Sequence, residues 1–381
     1  MDPASSPLGR MLLDEISPVV MVLRTPLVEE SCQKNGLSLI DMLRPFTDFS
    51  NIDVPVRTSS DQPYRLRKFR LRLFYESEIQ QPKFLAVKER LKNVVSRAGD
   101  EISEIFHEPP TMTNVSLGST SEASPSWFGL FNKELIRSVS FSEHEAFDHP
   151  VACLLVVSSK DAQPINRFVD LFNTNKLPKI LIDGTMDPKI FKFFLLLHDN
   201  NDESSEKTTK ILSDMKNTFG TNDCKVLCIN SSHGALIEHQ GSTGALSNNG
   251  GLYPAASGSL LSTEDLNEIR SIMQELASKH IIPNIEQKVR LLNQQVSATR
   301  KGFRNQIKNL WWRKGKEELT DTSNTYTYSS IESQIRVLGD YAFILQDYEL
   351  ALSNYRLIST DYKLDKAWKH YAGVQEMMGL S

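Results

Sequence analysis

Three continuous apolar runs constrain this chain more than anything else in it: residues 151–159 (VACLLVVSS), 190–197 (IFKFFLLL) and 224–229 (CKVLCI). Each has the length of a strand, and a strand that is apolar throughout must be covered on both faces, as in a parallel sheet. Helical spacing fills the intervals, at 165–172 and at 204–219, where Ile211, Met215 and Phe219 share a stripe. Strands alternating with helices imply right-handed crossovers and a doubly wound, mostly parallel sheet. Upstream, residues 18–25 (PVVMVLRT) read as another buried strand, followed by helices at 26–35 and 37–46 with Gly36 as the break. Residues 55–63 read as a polar loop, 68–74 (KFRLRLF) as a strand with one wet face, 81–98 as a helix and 109–126 as a surface loop.

A doubly wound sheet invites a phosphate cradle, but the sequence holds no GxxxxGK[ST] and no GxGxxG after a strand. Without a glycine-rich loop and its lysine, phosphate charge lacks compensation, which argues against nucleotide hydrolysis. His144, Glu145 and His149 resemble a zinc-protease box, yet the second histidine is five residues from the first. That spacing leaves the helical face a metal needs, so a helix end capped against the strand at Val151 is the expectation. His198-Asp199 closes a strand at the ligand edge of the sheet, with no other motif in the sequence that converges on it. No serine has a nucleophile-elbow context, and no catalytic, cofactor or metal residues emerge.

Residues 231–260, rich in Gly, Ser and Asn, bury little apolar surface and read as a flexible linker. Helix resumes at Ser262, with Glu264 and Asp265 in its first turn. Two helices are expected, at 262–281 and 283–299, divided by Pro283, the second striped by Ile285, Val289, Leu292 and Val296. That stripe leads into TRKGFRNQIKNLWWRKGKE (299–317). Between positions 300 and 316 it holds seven bases and no acid. Arg300, Lys301, Arg304, Lys308, Arg313, Lys314 and Lys316 are the bases, while Phe303, Ile307, Leu310 and Trp311 share a helical face with Trp312 at its edge. Such a helix can lie on an anionic bilayer, lysines at the headgroups and indoles at the interface. It can equally pack its stripe on its own domain, or enter a partner groove, since Phe303, Ile307 and Trp312 match the spacing of calmodulin targets.

The last fifty residues change character. Leu338-Gly339, Ala342, Tyr348, Ala351, Tyr355 and Ile358 fit tetratricopeptide-like spacing, with Ala367-Trp368 opening a further helix, so a solenoid is expected to continue past Ser381. The net charge of −4 argues against a general nucleic-acid-binding character. Of the cysteines, Cys224 and Cys228 are close but lack redox or zinc spacing, so buried free thiols in a reducing compartment are expected. No run of eighteen apolar residues and no signal-peptide core is seen, so a cytosolic protein with peripheral membrane contact is expected.

Several segments together resemble a known family. They are His144-Glu145-x-Phe147-x-His149 running into residues 152–156 (ACLLV), FFLLLHD at 193–199, and 219–224 leading into Ile229-Asn230-Ser231. Ile282-Pro283-x-Ile285-Glu286, Leu292-Asn293-x-Gln295 and Arg300-Lys301-Gly302 complete the set. In this order they are similar to the N-terminal part of the Trs85-like subunits of the TRAPP III complex, over roughly residues 10–380. Members of that family continue well past this C-terminus. The resemblance implies a non-catalytic scaffold subunit of an exchange factor for a small Rab GTPase, working in ER–Golgi traffic and autophagy beside other TRAPP subunits. It implies peripheral attachment to Golgi, ER–Golgi and autophagosomal membranes through an amphipathic helix, here the twelve residues named in 299–317. It also implies an α/β domain (10–230) that looks like a GTPase relative without a P-loop, a linker (231–260), a helical segment (261–317) and a TPR-like solenoid start (331–381).

Overall fold

The computed structural model describes residues 15–107, 126–142, 144–173, 177–201, 205–231, 261–310 and 326–381. β1 (Val19–Arg24) is buried along nearly its whole length and is followed, after Thr25 alone, by α1 (Pro26–Gln33). Proline at the first helical position has its φ preset and no N–H to strand, which allows so short a turn. α2 (Leu39–Leu43) starts at Ser38, whose hydroxyl accepts from Asp41 N–H. Next come β2 (Asp48–Phe49), β3 (Val54–Arg57), β4 (Pro63–Leu66), β5 (Phe69–Arg70) and β6 (Arg72–Tyr75).

The structure departs from two expectations. Residues 55–63 are not simply a loop, because β3 and β4 pair antiparallel from Val54↔Leu66 to Arg57↔Pro63. Val54, Val56 and Leu66 point inward while Pro55 and Pro63 sit where no ladder donor is needed. The run 68–74 is two strands with different partners: β5 pairs antiparallel with β2, and β6 pairs parallel with β1.

α3 (Phe84–His107) and α4 (Ser126–Arg137) pack on each other before the chain enters β7 (Ala152–Ser158). Then follow α5 (Pro164–Phe172), α6 (Lys179–Ile182), β8 (Phe191–Asp199), α7 (Ser205–Phe219) and β9 (Cys224–Ile229). Five strands form one wholly parallel sheet in the order β6-β1-β7-β8-β9. Ranked by chain position this is 2-1-3-4-5, the order of flavodoxin-like doubly wound sheets. All seven residues of β7 are buried, as its central place demands.

Beyond the sheet, α8 (Thr263–Glu275) opens on a capping box in which Ser262 and Asp265 satisfy each other's backbone N–H. The expected break at Pro283 is absent. A π-turn over Leu276–Ile281 joins α8 directly to α9 (Ile282–Leu310). Ile282 N–H bonds to the Ala277 carbonyl, five residues back, and this wider turn takes in the proline that would clash in regular α geometry. Ile285, Val289, Leu292 and Val296 are all buried. They share one hydrophobic cluster with one face of the sheet and with α10 (Ile331–Ile344), α11 (Tyr348–Leu364) and α12 (Trp368–Leu380). The other face of the sheet packs on α5 and α7 through Phe168, Phe194 and Met215.

Candidate functional site

In an open α/β sheet, ligands bind outside the carboxyl ends of the strands where the strand order reverses. Here that place is the crevice between β1 and β7. The position of a phosphate loop is taken by Thr25, whose N–H bonds to Val156 O at 3.2 Å. Its hydroxyl donates across the crevice to Asp161 Oδ2 at 2.6 Å, and the same carboxylate oxygen accepts from Ser158 N–H at 2.9 Å. The crevice is thus stitched shut by a carboxylate, a charge that would repel a phosphate.

Farther along the same edge, His198-Asp199 is not isolated. Lys34 Nζ donates to Asp199 Oδ2 at 2.6 Å, while Asn230 Nδ2 (2.9 Å) and Asn201 N–H (3.1 Å) donate to Oδ1. Burial works to raise the Asp199 carboxyl, but the Lys34 and Asn230 bonds outweigh it, so the group stays below its ordinary range. Ser159 Oγ and His198 Nδ1 lie 2.9 Å apart, a pairing that invites a nucleophilic reading. Both side chains are buried, and the Asp199 oxygens are committed to Lys34, Asn230 and Asn201. Asp265 closes the row by accepting from Asn230 N–H and Ser231 N–H, tying β9 to α8. These contacts join segments up to 165 residues apart, which no local pattern reports. An open depression of about 430 Å³ along α5 is lined only by neighbouring residues of that helix and its entry, so no second element converges there.

His144, Glu145 and His149 flank a 3₁₀ turn (Ala146–Asp148), not the helix end that was expected. Burial holds His149 down to about 4, and His144 Nε2 lies 3.3 Å from Glu145. Among the described residues no group of three metal-binding side chains forms. The cysteines are free, and burial pushes the Cys32 thiol up to about 12.

Of the basic stretch, positions 300, 301, 303, 304, 307, 308 and 310 lie in the closing turns of α9, helical as expected. Trp311, Trp312, Arg313, Lys314 and Lys316 lie outside the described residues, as do residues 232–260 of the linker and residues 109–125 of the loop. No helix among the described residues is long and apolar enough to cross a membrane.

The class of protein is a five-stranded parallel α/β body, its crevice at the strand-order reversal closed by its own side chains, continued by a long helix and paired helices. The family model described as "TRAPPC-Trs85: ER-Golgi trafficking TRAPP I complex 85 kDa subunit" matches residues 12–381, and the chain belongs to that family. Similar proteins include human trafficking protein particle complex subunit 8, 26% identical over 235 residues, which are 58% of this chain and 15% of the human one. Transport protein particle subunit trs85-2 of Schizosaccharomyces pombe is 25% identical over 233 residues, 57% of this chain and 37% of the yeast one. The Caenorhabditis elegans subunit 8 is 31% identical over 117 residues, 27% of this chain and 9% of its own. The matched parts therefore span well under half of these relatives.

Proposed function

We propose that this chain is a non-catalytic scaffold segment of a TRAPP assembly of the TRAPP III type, which it helps to dock on membranes in ER–Golgi traffic and autophagy. The observation that carries the non-catalytic part is the Thr25–Asp161 bond. It fills the place where a GTPase-like sheet holds its nucleotide, and it puts a carboxylate there. The α/β body is then a GTPase relative turned structural element, and α10 to α12 are the opening of a TPR-like solenoid. The division into an α/β domain (10–230), a linker (231–260), a helical segment (261–317) and a solenoid start (331–381) belongs to the same reading. Other TRAPP subunits are the direct partners, and a small Rab GTPase is reached through the complex.

Docking falls to 299–317. The apolar face of α9 is spent inside the body as far as Val296, which is 4% exposed. In the sequence Phe303, Ile307 and Leu310 extend the same spacing beyond it, now among bases. Each base near an anionic surface contributes on the order of 1 kcal/mol, and the indoles of Trp311 and Trp312 add interfacial burial. Vesicle flotation tests this: binding rises with anionic lipid and falls when Trp311→Asp and Trp312→Asp are combined. Equal flotation by that double variant discards the lipid assignment, and calcium-dependent capture by calmodulin would give the helix to a partner groove instead.

A further inference from the structure

Seven of the fourteen large apolar side chains that stand exposed among the described residues belong to one element, the α3–α4 hairpin and its exit turn. Ile79, 2% exposed, anchors the chain just before α3, and Phe141 anchors it after α4 by an edge contact with Phe74 at 5.1 Å. α3 therefore runs out from the body and α4 runs back, antiparallel. The facing stripes are Val87, Leu91 and Val94 on α3, and Trp127 and Phe131 on α4, all buried or half-buried. Arg90 Nε meets Glu134 Oε2 at 3.1 Å, which marks one flank of the pair.

At 3.6 residues per turn, Phe84 and Val95 fall on the other flank of α3, and Leu85 lies farther round, toward its outer face. Phe128 and Leu135 fall on the corresponding flank of α4, because the two helices run in opposite senses, and Val139 follows in the exit turn. The hairpin thus gathers six exposed apolar side chains from this flank round to its outer face and exit turn, each between 44% and 77% exposed, with Lys88 and Lys92 set among them. Its charge departs from the rest of the chain. Residues 83–97 hold five bases and one acid and residues 127–139 two bases and one acid, in a chain of net charge −4. The acids Asp100, Glu101 and Glu104 of α3 come only after Arg97.

A second copy of this hairpin would set lysines against lysines, and the chain's own 299–317 is equally basic, so the charge calls for an anionic occupant. Phe84 and Leu85 are adjacent, 77% and 75% exposed, and stand at the start of α3, where they make a knob instead of a groove. A knob of two bulky apolar side chains, with Lys83, Lys88 and Lys92 against the single acid Glu89 over residues 83–97, enters the headgroup–acyl boundary without a shaped socket. We propose that this flank of the α3–α4 hairpin is a contact surface for an anionic lipid bilayer, separate from the basic helix at 299–317.

Co-sedimentation of the full chain with phosphatidylcholine vesicles, with and without phosphatidylserine, tests it. Binding is expected to require phosphatidylserine. Phe84→Asp with Leu85→Asp is expected to weaken it on the order of tenfold, with an unchanged unfolding temperature because both positions are exposed. Lys88→Glu with Lys92→Glu is expected to reduce the phosphatidylserine dependence. Trp311→Asp with Trp312→Asp, measured in parallel, is expected to leave a residual binding that the Phe84/Leu85 pair then removes. Wild-type binding by the Phe84/Leu85 variant overturns the proposal, whatever the tryptophan variant does. If the tryptophan pair alone abolishes all binding, the hairpin has no lipid role while docking through 299–317 stands. A Phe84/Leu85 variant that binds vesicles normally but loses a TRAPP subunit likewise overturns it, in favour of an acidic protein partner.

Discussion

Arg336 donates from Nε to Asp340 Oδ1 at 2.9 Å, one turn along α10, with the two residues 2% and 3% exposed. Tyr355 of α11 donates to the same oxygen at 2.8 Å, so an ion pair and a phenol are sealed together between the first paired helices. The Arg336 Nη1 and Nη2 atoms have no hydrogen-bond partner of their own, which makes Asp340 the main compensation for a buried cation. Asp340→Ala is expected to cost about 3–5 kcal/mol, the range for leaving one member of a buried pair alone. Arg336→Met combined with Asp340→Leu should recover most of that loss in urea unfolding.

Gly339 sits against the same tyrosine. A Cβ added there would lie 2.7 Å from Tyr355 Cε1 and 2.9 Å from Cδ1, and the ring is fully buried. Gly339→Ala should therefore destabilise by roughly 1–3 kcal/mol through forced repacking. Gly379→Ala, also helical but facing open space, should cost nothing. Thermal melts of the two variants make the comparison.

The turn beside these helices sets a pH dependence. Burial lowers His149 and His370 to about 4 and raises Glu145 to about 7. Arg336 and neighbouring Asp148, Asp340 and Glu376 act on Glu145 after burial, and His144, Arg336 and Lys369 act on His370. Between pH 4 and 6.5 the unfolded chain binds more protons at the two histidines, so their share of stability rises with pH. Glu145 works in the opposite sense: the folded chain holds its proton more tightly, and stability falls as pH rises from 4.5 to 7. Glu145→Gln should remove only the falling component. Melting temperatures of the variant and the wild type should therefore diverge in the variant's favour across that window.

At the sheet edge, Lys34→Met keeps the side-chain stem but takes the ammonium from Asp199, which is 2% exposed. Asn230 and Asn201 still donate to it, so the expected loss is roughly 1–3 kcal/mol, not unfolding. Wild-type Asp199 has a lowered pKa, so its contribution is present above the ordinary carboxylate range and lost as pH falls through the folded value. The variant's deficit should accordingly shrink in acid.

The sheet was legible because β1, β7 and β8 are apolar almost without interruption, a pattern only a strand covered on both faces needs. The β3–β4 hairpin was hidden by Pro55 and Pro63, which occupy positions where a missing N–H costs nothing. Pro283 misled for a different reason. The π-turn before it moves the Ile282 bond to Ala277, and a one-residue change in hydrogen-bond span leaves no mark in hydrophobic spacing. At the sheet edge, Lys34, Asp199, Asn230 and Asp265 lie on separate segments, so only the fold could bring them together. The absence of a phosphate loop was readable directly, whereas the carboxylate of Asp161 in its place was not.

Affinity purification of this chain from cytosol tests its assembly most directly. Core TRAPP subunits are expected to come with it, in a form that survives the Trp311→Asp and Trp312→Asp changes. Recovery of the folded chain without any TRAPP subunit would contradict it.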